Sequence, residues 1–113
     1  MTAPTFNVTI EQGATFTKSI AIEGLDLTDA SARLQARPSY TGDAVVSLTS
    51  EVGGGIVITV TDVENSILDI TITATNTAGL KRHLRYDLEV ELANGTVYRL
   101  LQGKMMLNKE ITK

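Results

Sequence analysis

The stretch Leu84–Gly103, "LRYDLEVELANGTVYRLLQG", decides the fold. In its first arm Leu84, Tyr86, Leu88 and Val90 alternate strictly with Arg85, Asp87, Glu89 and Glu91. Successive side chains of a strand point to opposite faces, so this arm reads as a strand with one face in a core and one in water. Asn94-Gly95 follows, a dipeptide favoured by the two-residue type I′ hairpin. With that loop Ala93 lies opposite Thr96, Leu92 faces Val97, Val90 faces Arg99 and Leu88 faces Leu101. On the other face Glu91 meets Tyr98, Glu89 meets Leu100 and Asp87 meets Gln102.

That register leaves a conflict, because the second arm is apolar on both faces. Two readings are open. In one, a bulge near Arg99 flips the register, or the segment "TNTAGL" (75–80) covers Tyr98 and Leu100 within the chain. In the other, Tyr98 and Leu100 form a partner-facing patch, rimmed by Glu89 and Glu91 with Arg99 at its edge.

Period-two alternation extends over most of the remaining sequence. Phe6, Val8 and Ile10 share one side of a first strand, and Phe16, Ile20 and Ile22 share one side of a second, in phase with Lys18 at a sheet edge. Ala32, Leu34 and Ala36 alternate with Arg33, Gln35 and Arg37 until Pro38, which has no N–H to give, stops the pairing. "AVVSLTS" (44–50), Ile56–Val60 and Leu68–Ile72 supply further strands, with a turn at "DVEN" (62–65) and a mobile glycine connection at 53–55. One helical piece of one or two turns is expected at "ATNTAGL", capped by Thr75 or Asn76 and ended by Gly79. A closing strand runs through "KMMLNKEIT" (104–112). About eight short strands with almost no helix predict a single all-β domain, a sandwich or a small barrel.

A chain of 113 residues suffices for one core. The net charge of −3, with ten basic residues scattered along the sequence, argues against a nucleic-acid binder. No cysteine is present, so neither disulfides nor thiolate metal sites hold the fold. Residues 1–20 lack the pattern of a secretory signal, and no run approaches the roughly 20 apolar residues of a membrane helix.

Candidate chemistry is sparse. His83 is the one histidine; it opens a strand with no nucleophile near it, and a lone histidine without cysteine cannot make a zinc site. Asp87, Glu89 and Glu91 are spaced along a strand rather than folded round a point, so they read as a solvated face rather than a calcium site. Asp26 and Asp29 read as turn formers. Gly53–Gly55 is not followed by the Lys-Ser or Lys-Thr of a phosphate-binding loop. Five aromatic residues, Phe6, Phe16, Tyr40, Tyr86 and Tyr98, are few for a base-stacking or sugar-binding surface. The expectation is a non-enzymatic binding or structural module with no cofactor.

"LDLTDASARLQAR", "TNTAGL" and "YDLEVELANGTVYRLLQGKMMLNKEIT" together resemble a group of small tailed-bacteriophage virion proteins. That group is similar to the N-terminal immunoglobulin-like domain of the lactococcal-type phage baseplate upper protein. The resemblance spans nearly the whole chain and implies an immunoglobulin-like β-sandwich of about eight strands. It implies a virion component assembled in the bacterial cytoplasm, docked onto other phage structural proteins of tail, collar, baseplate or capsid. Several symmetric copies are expected, with no nucleic acid or membrane partner, and weak self-association follows from that symmetry. The chain's ending soon after the last strand favours an adaptor, collar or decoration subunit over a complete fibre protein, and the leading expectation is a tail- or baseplate-associated adaptor on a symmetric ring that helps attach fibres or neighbouring proteins. A capsid decoration or head-fibre-anchoring protein is the alternative, and a carbohydrate-binding module is an alternative of another class.

Overall fold

The computed structural model of the protein describes residues 3–39 and 42–111. Tyr40 and the last predicted strand residue, Thr112, lie outside the described residues. Eight strands and one short helix follow in order: β1 (Val8–Glu11), β2 (Phe16–Glu23), β3 (Ser31–Arg37), β4 (Val46–Thr49), β5 (Ile56–Asp62), β6 (Asn65–Ile72), α1 (Ala74–Ala78), β7 (Leu84–Glu91) and β8 (Val97–Asn108). The second hairpin arm and the closing strand are thus one continuous strand.

The strands form two sheets, β1-β8-β7-β3-β4 and β2-β6-β5. All pairings are antiparallel except that of β1 with β8. Labelled A′ to G in chain order, the sheets read A′GFCC′ and BED. This is the arrangement of an immunoglobulin sandwich with a strand added beside C.

The alternation seen in the sequence fills the space between the sheets. Leu48, Leu34, Leu88 and Leu101 stand opposite one another on four successive strands, β4, β3, β7 and β8. Leu68, Ile70 and Ile72 of β6 are buried in the same cluster, with Ile20 and Ile22 packed against it. Lys18, in phase with the inward residues of edge strand β2, runs out to place its Nζ 4.8 Å from the centre of the Phe6 ring.

Three local expectations need correction. The N-cap of α1 is Thr73, whose Oγ1 accepts the N–H of Asn76, because the helix starts two residues earlier than a Thr75 cap and three earlier than an Asn76 cap would place it; Gly79 does end it. Gly53–Gly55 is not a mobile hairpin connection but the crossing from one sheet to the other. There Thr49 N–H donates to Gly54 O at 2.9 Å, and Thr71 N–H donates to Gly55 O at 2.8 Å. Four of the ten basic residues, Arg37, Arg85, Arg99 and Lys104, scattered in sequence, are brought together by the fold.

The helix is pinned to the β1–β2 turn by Thr77, which is fully buried. Its Oγ1 accepts the Gly13 N–H at 3.1 Å and lies 2.8 Å from Ala14 O and 3.1 Å from Ala74 O, the carbonyls to which its proton can go. Thr77→Val keeps the shape but leaves the half-buried Gly13 N–H without its partner and removes the bonds to Ala14 O and Ala74 O, so the protein should lose about 1–2 kcal/mol of stability. Urea unfolding of the two proteins measures this.

Tyr86, on β7, lies beneath the N-terminal segment, and its hydroxyl donates to Phe6 O at 2.5 Å. Burial raises the phenol above its ordinary value of 10.0. A raised pKa in the folded state means that Tyr86 opposes folding only once the unfolded chain's tyrosine ionises. The contribution of Tyr86 to stability should therefore be level below about pH 10 and fall above it. Melting temperatures should show this alkaline fall reduced in Tyr86→Phe relative to the native protein.

Candidate partner interface

The β7–β8 hairpin resolves the conflict in its sequence by two successive irregularities. The loop has three residues, Ala93-Asn94-Gly95, rather than two. Leu92 N–H donates to Thr96 O and Gly95 N–H to Leu92 O, both at 2.8 Å, and Gly95 takes φ +89°. This is a type I turn closed by a glycine in the left-handed region. Glu91 consequently pairs with Val97, Val90 with Tyr98 and Glu89 with Arg99, each one step from the expected partner. A bulge at Leu100 takes up the extra residue, and from Leu88–Leu101 and Asp87–Gln102 onward the pairing is the one expected.

These irregularities divide the expected patch between two faces. Tyr98 stands opposite the fully buried Val90, on the core side of the sheet, yet it is 39% exposed. Leu100 is half-buried and packs against the core. Glu89, Glu91 and Arg99 lie along the outer face. Arg33 Nε is 3.0 Å from Glu89, Arg33 Nη1 is 3.7 Å from Glu91, and Arg99 Nε is 3.6 Å from Asp87. Glu89 and Glu91 therefore do not rim Tyr98 and Leu100 as expected; both answer Arg33 on the outer face of the sheet. At their exposure these pairs fix side-chain directions more than they stabilise. α1 covers neither Tyr98 nor Leu100: Thr77 sits against Gly13 and Ala14, beside Asn108 at the other end of β8, roughly 25–33 Å away along the strand.

The edge of β8 distinguishes this region. β1 pairs with Met105–Asn108, and an isolated parallel bridge joins Thr5 to Gln102. From Val97 to Leu101 no strand lies on that side among the described residues. Val97 is 45% exposed at the same edge. An unpaired strand edge beside exposed apolar side chains is a template for another chain.

A second exposed face lies on the three-stranded sheet. Ala21, Ile67 and Thr59 form one row across it, and Ser19, Asp69 and Val57 the next. Ile67 is 40% and Val57 60% exposed, and Ser19 hydrogen-bonds Asp69.

The remaining sequence candidates have structural places. His83 Nδ1 accepts the N–H of Leu107 at 2.8 Å, standing in for a backbone partner at the strand end. Asp26 closes a turn on Thr28, whose hydroxyl and N–H hold its carboxyl below the ordinary value. Asp29 sits at φ +58°, the left-handed conformation that aspartate tolerates in turns. Among the described residues no three His, Cys, Asp or Glu side chains gather round a point.

Sequence reading missed one feature. On the outer face of the five-stranded sheet, a groove of about 590 Å³ brings together Arg37, Arg85, Arg99 and Lys104 with Asp87 and Glu89. Alternation alone points each outward, but only the strand order β8-β7-β3 makes them neighbours.

No protein-family model matches the chain, and no curated protein does. Among solved structures the chain is similar to the ZIG-8–RIG-5 IG1–IG1 heterodimer in its monoclinic form. The identity is 12% and the TM-score 0.39, over 93% of this chain and 83% of that one.

Proposed function

We propose that this protein is a non-catalytic docking module of a bacteriophage virion, an adaptor seated on a symmetric ring of tail or baseplate protein through the open edge of β8. The observation that carries the docking reading is that edge, Val97–Leu101, with Val97 and Tyr98 exposed beside it. An incoming strand would gain backbone hydrogen bonds there and set an apolar side chain against Tyr98. The bulge at Leu100 shortens the edge, which limits indiscriminate pairing and favours a partner shaped to it. The virion placement is supported by the resemblance of "YDLEVELANGTVYRLLQGKMMLNKEIT" and its companion segments to tailed-phage proteins.

Tyr98→Ala tests the reading. The side chain is partly exposed at the sheet edge, so its loss should leave the fold intact and change stability by no more than about 2 kcal/mol. Incorporation into particles, read by mass spectrometry of purified virions, should fall at least about tenfold. Full incorporation of a folded Tyr98→Ala protein would remove Tyr98 from the interface. Contact with the major capsid protein rather than a tail ring would move the adaptor to the head.

A further inference from the structure

Among the described residues β1 and β4 end one sheet, β2 and β5 end the other, and β8 is open over Val97–Leu101. A free strand edge invites another chain, and proteins guard it with shortness, charge or a bulge. β1 and β4 have four residues each, β2 carries Lys18 and Glu23, and the open part of β8 carries Arg99 and its bulge. β5 is different. Its residues 56–61, "IVITVT", are rich in β-branched side chains and hold no charge and no proline, and its bulge and Asp62 come only at the end. Val57 and Val60 are 60% and 39% exposed on it.

The backbone of this edge is set for a partner. Thr71 N–H donates to Gly55 O, so Val57 and Thr59, in step with Gly55, turn their backbone groups to β6. Ile58 and Val60 turn theirs to the open side. The outer face beside them is uncharged along a whole row, Ala21, Ile67 and Thr59.

We propose that β5 is the edge by which two copies of this chain associate, pairing antiparallel about a two-fold axis at Thr59. In that register Ile58 of each copy exchanges both bonds with Val60 of the other, about four hydrogen bonds in all. Thr59 meets Thr59, a cross-strand pair that favours pairing, and the uncharged row continues through Thr59, Ile67 and Ala21 of the second copy. A second copy suits this edge because chains of net charge −3 repel one another, and "IVITVT" sets no charged side chain against its own image. Its strand is also already extended, so the ordering that a flexible peptide would need on binding has been done by the fold. Such a contact is isologous, occupies the edge on both copies and closes at a dimer. β8 lies in the other sheet and keeps its own open edge, so the inference stands whatever docks there.

Sedimentation equilibrium of the whole chain tests this. The native protein should pass from monomer to dimer with a dissociation constant between about 10 µM and 1 mM, as fits a short contact. Thr59→Lys sets like charges opposite one another and should weaken the dimer at least about tenfold, as should Thr59→Glu. Mixed in equal amounts, the two variants should pair with each other within about threefold of the native affinity. Thr17→Lys, exposed on the same face but on the far edge strand β2, should dimerise like the native protein. The proposal is overturned by a strict monomer at about 1 mM, by a Thr59→Lys protein that dimerises unchanged, or by a mixture that associates no better than either variant alone. Species larger than a dimer, or loss of the dimer in Thr17→Lys, overturn it as well.

Discussion

Gly103→Ala is expected to destabilise the protein by about 3 kcal/mol and to release the N-terminal segment from the sandwich. A Cβ on residue 103 would lie 2.3 Å from Phe6 O and 2.8 Å from Phe6 C, both backbone atoms with little freedom to retreat. The segment crossing this glycine is tied down by several bonds: Phe6 N–H donates to Gln102 O at 2.8 Å, Gln102 N–H to Pro4 O at 3.2 Å, and Tyr86 Oη to Phe6 O. Moving Phe6 away breaks the last of these and loosens the others. A folded but shortened sandwich is the expected product, visible as fast hydrogen exchange confined to residues 3–10 and Gln102–Leu107. Exchange that accelerates evenly over the molecule would mean that the segment is not a separable layer.

Leu88→Ala should be the most damaging truncation in the core, at about 4 kcal/mol. Leu88 is fully buried in the middle of β7, between Leu34 and Leu101 in its own sheet. On one side Leu34 is itself backed by Leu48 of β4, so the surroundings cannot fully collapse into the cavity that alanine leaves. Domains of this size are stable by roughly 5–15 kcal/mol, so this loss brings the protein near its threshold. The urea midpoint should fall sharply with an unchanged slope, the mark of lost stability without a change in the surface exposed.

How much of this was legible in the sequence differs from element to element. The alternation of Ala32-Leu34-Ala36, Leu68-Ile70-Ile72 and Leu84-Tyr86-Leu88-Val90 gave the inward faces correctly, because one dry and one wet face leave no other register. Pro38 and the "DVEN" turn marked strand ends where the structure has them. The hairpin loop was misjudged because Asn-Gly serves both a two-residue loop and the end of a three-residue one. Leu92, placed by the sequence opposite Val97, belongs instead to the turn. The single extra residue then displaced Tyr98 and Arg99 by one step each, which is enough to change their faces. A bulge near Arg99 was among the sequence alternatives, and Leu100 is where it falls.

The groove on the outer face was not legible, for a different reason. Arg37, Arg85 and Lys104 are separated by up to 67 positions in the chain and meet only through non-local pairing. Their outward direction could be read from each strand alone; their alignment required the strand order. In the sequence Gly103 reads only as the end of a hairpin arm. Nothing local to "LLQGKM" shows that the backbone of Phe6 passes over it.

The docking reading rests on the open edge of β8, and photo-cross-linking from that edge tests it most directly. A photoreactive amino acid placed at position 97 in assembling particles should join the protein to one other virion component in high yield. The same group at position 67, on the face of the three-stranded sheet, should give little. High yield from position 67 with none from position 97 would contradict the account and move the interface to the opposite sheet.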